Sequence, residues 1–162
     1  MSVADLLALY ARLMDELRDA GVVRSTNNPV SDYTELLVCT ALGLTRLGNS
    51  SAGADAVDAS EHRFQIKGRR LTAANASTEL SAIRRLDSSP FDSLIGVIYR
   101  PDFTVDYAAR IPLAVVRERS TFKSHTNAHC FHLKRSVLDD PRVVDITESL
   151  AKCRIGRRID AR

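Results

Sequence analysis

A mixed α/β domain is the fold class this chain predicts, and three observations carry that reading. Residues 2–20 hold an apolar stripe at helical spacing. Residues 55–59 and 63–70 read as two short strands joined by four turn-like residues. Leu94-Ile95-Gly96-Val97-Ile98-Tyr99 is an unbroken apolar run, the pattern of a strand buried on both faces.

The elements follow in order. Leu6, Leu9 or Tyr10, Leu13 and Leu17 recur every three or four residues; Ser2 is placed to cap that helix and Gly21 to end it. A second helix is predicted from about Ser31 or Asp32 to Leu42, with an acidic first turn and Gly43 as its stop. Gly48 to Ala54 is a Gly/Ser/Asn loop, and the two strands then flank Ala59-Ser60-Glu61-His62. A short helix is expected around Thr78 to Leu86, ahead of the buried strand. Pro101-Asp102 turns the chain into a strand from Phe103 to Ile111, and Pro112 opens a helix to about Ser120. A strand near 129–134 and a short helix near 146–152 close the domain. The arginine-rich end, 154–162, reads as a frayed tail.

Composition bounds the function. At 162 residues, with 44% apolar and 27% charged positions, the chain is one globular domain, 1–162, and not a disordered segment. No apolar run approaches the roughly 18 residues that span a bilayer, and Met1-Ser2-Val3-Ala4-Asp5 does not read as a signal peptide. Cys39, Cys130 and Cys153 lack CxxC spacing and fit free thiols, so a cytoplasmic setting without membrane contact is expected. A net charge of +3 permits nucleic acid as a partner without demanding it.

The chemistry concentrates in the hairpin. If strands 55–59 and 63–70 pair, Asp55 lies across from Gln65 to Lys67, and Gln65 and Lys67 share a face. A carboxylate, an amide oxygen and an ammonium then meet on one patch suited to a hard cation beside a phosphate. Asp58 is the other acid in reach, but a turn centred on Ser60-Glu61 pairs it near Arg63, away from Gln65 and Lys67. Glu35 sits on the preceding helix, close to where it turns apolar.

Glu35, Asp55 and Gln65-Ile66-Lys67, followed by the buried strand 94–99, resemble the PD-(D/E)xK nuclease superfamily. The Gln-x-Lys form is similar to Mrr-like restriction endonucleases. The likeness covers about residues 31–100. It implies a restriction-endonuclease-like mixed sheet flanked by helices, with an α-β-β-α-β core. The first helix, a strand/helix appendage over about 102–153 and the tail 154–162 are additions to that core. It also implies Mg²⁺ or Mn²⁺ as cofactor and hydrolysis of DNA phosphodiesters, in a restriction or defence role. Asp55 would be the main metal ligand and Glu35 a second, with the Gln65 amide oxygen and Ile66 carbonyl completing the set. Lys67 would position the attacking water or offset charge on the phosphate. Gln65 supplies one anion fewer than the usual Glu, so a nuclease-fold module that binds nucleic acid or a protein without cutting is the alternative.

Arg63, Arg69, Arg70, Arg84, Arg85 and Lys123 supply positive charge for backbone phosphates. Scarce aromatics, with no Trp, argue against a stacking platform for single strands and favour duplex DNA. Ser124, Thr126 and Asn127, and the Asn27-Asn28-Pro29 loop, are candidate further contacts. His125, His129, Cys130 and His132 do not match a closed zinc-site spacing and are expected to have a structural or surface role. A homodimer is compatible with the family, which often pairs to cut both strands.

Overall fold

The computed structural model of the chain describes residues 1–48 and 53–156. Helix α1, Val3–Asp19, begins with a reciprocal cap. The Ser2 hydroxyl accepts the Asp5 N–H at 3.2 Å, while the Asp5 carboxylate accepts the Ser2 N–H at 2.6 Å. Helix α2, Val30–Leu42, begins one or two residues before the start the sequence suggests, with Pro29 at its N-cap. Asp32 is drawn elsewhere: its Oδ2 accepts the backbone N–H groups of Arg24 and Ser25, both at 2.9 Å, which fastens the incoming loop to the helix. Gly43 ends α2 at φ 65°, the left-handed turn that glycine adopts without penalty.

Strands β1 (Thr45–Arg46), β2 (Ala56–Val57), β3 (Arg63–Arg70), β4 (Ser93–Tyr99), β5 (Val105–Pro112) and β8 (Val144–Asp145) form one mixed sheet in the order β1-β2-β3-β4-β5-β8. Only β3 and β4 run parallel; the other neighbours are antiparallel. Between β5 and β8 lie α3 (Leu113–Arg119) and a separate hairpin of β6 (Thr121–Lys123) and β7 (Ala128–Cys130). Helix α4 (Thr147–Lys152) follows β8. The fold class is therefore the mixed α/β one expected.

Every residue of β4 is buried, as its unbroken apolar run requires. Burying each of Leu94, Ile95, Val97 and Ile98 contributes about 1.5–3 kcal/mol. Two apolar layers sandwich the sheet. On one face Leu37 and Val38 of α2 and Leu150 of α4 meet Phe64, Ile66 and Val97. On the other, Leu80, Ile83, Phe131, Leu133 and Val116 cover Leu94 and Ile98.

The helix expected over 78–86 does not form. Leu80 N–H donates to the Phe131 carbonyl at 2.9 Å, and Ile83 exchanges both backbone bonds with His129. The segment is thus held in extended bridges, with one 3₁₀ turn at Leu86–Ser88. Its Leu80, Ile83 and Leu86 still point inward, so the three-residue spacing reports burial and not a helix. The strand expected near 129–134 is the shorter β7, and β1, β6 and β8 are additional. The tail beyond Gly156 and part of the 48–54 loop lie outside the described residues. Among the described residues no helix is long and apolar enough to cross a membrane.

Candidate active site

The β2–β3 hairpin pairs Ala56 with Phe64 and Val57 with Arg63, and continuing that register places Asp55 opposite Gln65. Asp55 N–H donates to the Phe64 carbonyl at 2.8 Å, and Asp55 Oδ2 accepts the Ile66 N–H at 2.7 Å. Ala56, Phe64 and Ile66 pack into the layer under α2, so strand alternation turns Asp55, Gln65 and Lys67 to the opposite face. The three groups that the hairpin reading brings together do share one patch.

Each is held differently. Gln65 is 8% exposed, and its Oε1 is buried with no hydrogen-bond partner among the described residues. A buried amide oxygen left unpaired costs free energy, so this atom is an acceptor in want of a ligand. In an extended strand the carbonyl of a residue points the way its N–H does. The Ile66 carbonyl therefore faces the same edge at which Asp55 meets its N–H. Lys67 is pushed below the ordinary lysine range by burial; the carboxylates of Asp55 and Glu35 oppose that shift, and Arg84 adds to it.

Glu35 approaches from α2 and is already engaged. Arg24 donates to its Oε2 at 2.6 Å, Arg46 donates through Nε at 3.0 Å and keeps a terminal nitrogen 2.9 Å away in an ion pair, and the Glu35 side chain is 17% exposed. Its charge reaches Lys67, but two guanidiniums balance it. Arg46 is the residue the sequence reading missed: it lies on a two-residue strand that no periodicity marks. Asp58 is excluded from the patch, because its Oδ1 accepts the N–H groups of Ser60 and His62 at 2.9 and 3.0 Å and so closes the hairpin turn. No three His, Cys, Asp or Glu side chains converge among the described residues, so any cation here would rest on Asp55 together with neutral oxygens.

The basic residues divide. Arg69 donates to the Ser77 carbonyl and to Asn75 Oδ1, both at 3.1 Å. Arg70 stacks 4.6 Å over the Phe103 ring. Both line a groove of about 340 Å³ at the end of β3, with Asn28, Ser31, Gly68 and Asn75 on its walls. Arg84 and Arg85 are exposed on the segment that covers the Lys67 face. Arg63 instead pairs with Asp92 at 3.0 Å, at the opposite end of β3. Lys123 is bound to both Glu79 oxygens at 3.1 Å. Ser124, Thr126 and Asn127 sit in the exposed β6–β7 turn. The histidines do not gather: His129 stacks with Phe122, His132 lies 3.4 Å from Glu79, and Cys130 is buried. No protein-family model matches the chain, and no curated protein is significantly similar to it.

Proposed function

We propose that this protein is a metal-dependent endonuclease of the PD-(D/E)xK type that hydrolyses phosphodiester bonds in duplex DNA, with Asp55, Gln65 and Lys67 as its centre. The observation that carries the proposal is the buried, unpaired Gln65 Oε1 beside the Asp55 carboxylate. Helix α2, the β2–β3 hairpin and buried β4 also come in the order the resemblance implies, although no helix fills the β3–β4 connection.

The donor set fits a hard cation: one carboxylate, one amide oxygen and one backbone carbonyl are all oxygen ligands, and Mg²⁺ or Mn²⁺ retains water in the remaining positions. Such an ion supplies Lewis acidity and an activated water. Asp55 and Gln65, with the Ile66 carbonyl, would hold it. The Lys67 ammonium, drawn toward Asp55, would orient the attacking water and offset charge on the scissile phosphate. Arg69 and Arg70 would contact the DNA backbone along the groove at the end of β3. Three free cysteines, two of them buried, suit the reducing cytoplasm in which a restriction or defence nuclease works.

A second reading, a nuclease-fold module that binds without cutting, is favoured by the double arginine pairing of Glu35, which removes the second anion from the site. One assay separates the two. Wild type, Asp55→Ala and Lys67→Ala are incubated with supercoiled plasmid and Mg²⁺ or Mn²⁺. The enzyme reading expects nicking by wild type alone. DNA binding with no cutting in any of the three, whatever the metal, sinks it and leaves the binding module.

A further inference from the structure

We infer that α1 is a self-association element, through which two copies of this chain pair antiparallel. This rests on observations separate from the chemistry proposed above. Val3, Leu6, Tyr10, Leu13 and Leu17 alternate at spacings of three and four, the 3.5-residue repeat of a helix that seats on another helix. Leu7 and Leu9 widen the seam on either side. Yet among the described residues the stripe stays largely exposed: Val3 is 74% exposed, Leu7 64%, Tyr10 55% and Leu13 54%. Among the described residues its far end meets the rest of the chain. There Met14 is buried and Leu17 lines an apolar hollow of about 190 Å³ with Val22, Pro29, Tyr33 and Phe103.

A second copy fits this surface in one register. Antiparallel pairing that sets Tyr10 against Leu13 of the partner subunit also sets Leu6 against Leu17 of the partner subunit. Leu6 then arrives at the hollow that Leu17 lines, and the two-fold axis repeats the contact. In this antiparallel arrangement the two helix dipoles oppose each other. The six exposed side chains from Val3 to Leu13 present on the order of 600 Å² per chain, so the pair would cover about 1,200 Å², the lower end of specific interfaces. A membrane surface fits less well. The polar side of α1 carries Asp5, Asp15, Glu16 and Asp19 against Arg12 and Arg18, and that net negative charge is repelled by anionic lipid.

Sedimentation velocity on the full chain tests the pairing. Wild type should dimerise with a Kd on the order of 10 µM. Leu6→Asp and Leu13→Asp, exposed in the single chain and so harmless to its fold, should each weaken dimerisation by about 30-fold or more. Ala8→Gln, on the outer side of the helix, should leave it unchanged. In a Cys153→Ser background, Tyr10→Cys/Leu13→Cys should form a disulfide-linked dimer and Tyr10→Cys alone should not. A wild type that stays monomeric to about 100 µM, or a Tyr10→Cys single variant that cross-links as well as the double, overturns the inference.

Discussion

The carboxylate of Asp55 accepts the backbone N–H of Ile66 at 2.7 Å, so the acid of the candidate site also closes the sheet edge where β2 leaves β3. Chemistry and architecture share one side chain, and substitutions can pull them apart. Asp55→Asn keeps an acceptor for Ile66; Asp55→Ala leaves that N–H unpaired. Both should abolish metal-dependent nicking, while only Asp55→Ala should lose stability, by about 1–2 kcal/mol. Urea unfolding of the two variants provides the comparison.

Gln65 offers the complementary gain. Gln65→Glu restores a second anion next to Asp55, and cation affinity rises with ligand charge. Calorimetric titration should give Mn²⁺ binding about 10-fold or more tighter than wild type. The metal-free variant should be less stable at neutral pH, because a buried carboxylate beside another is disfavoured. Unchanged Mn²⁺ affinity would separate Gln65 from any cation.

Lys67 carries a pH signature. Burial lowers its pKa in the fold below the 10.5 of the unfolded chain. Below the folded value the fold bears the full penalty of a disfavoured charge. That penalty shrinks as pH rises toward 10.5 and is absent above it. Lys67→Met should therefore be inactive yet more stable than wild type at pH 7, with the difference closing at alkaline pH. Thermal unfolding across that range tests the sign; a Lys67→Met protein less stable at pH 7 contradicts it.

Much of this site is legible in the sequence, because strand alternation is a local rule. The spacing of Asp55, Gln65 and Lys67 fixes their shared face once the hairpin turn is located, and the apolar run 94–99 announces a central strand. The partners of the charges are not legible. Arg63 meets Asp92 across 29 residues and Glu35 meets Arg46 across 11, on elements that no periodicity aligns. The segment 78–83 misleads for a related reason. Its apolar spacing is helical, but backbone groups of residues 128–133 offer it a distant sheet-like partner, and those bonds win.

At Gly68, α2 lies tight against β3. A Cβ there would lie 2.0 Å from Thr34 Oγ1 and 3.0 Å from Thr34 Cβ. Thr34 has little room to yield, since its hydroxyl donates to the Val30 carbonyl at 2.5 Å and accepts from the Tyr99 hydroxyl at 3.1 Å. Gly68→Ala should cost about 1–3 kcal/mol. Adding Thr34→Ala should recover part of that loss, a coupling that a double-mutant cycle reads directly.

The bridges between residues 78–83 and 128–133 also set an order of events at the ribosome. The β2–β3 hairpin emerges early and can close once Phe64 to Ile66 are free. The wall over Gln65 and Lys67 cannot, because its fastening lies some fifty residues later in the chain. A nascent chain that stops after β4 leaves the polar patch open and Leu80, Ile83 and Leu94 without cover. The candidate site is thus completed only once residues 128–133 have been synthesised, and translation products that stop before them should be left as sticky, inert fragments.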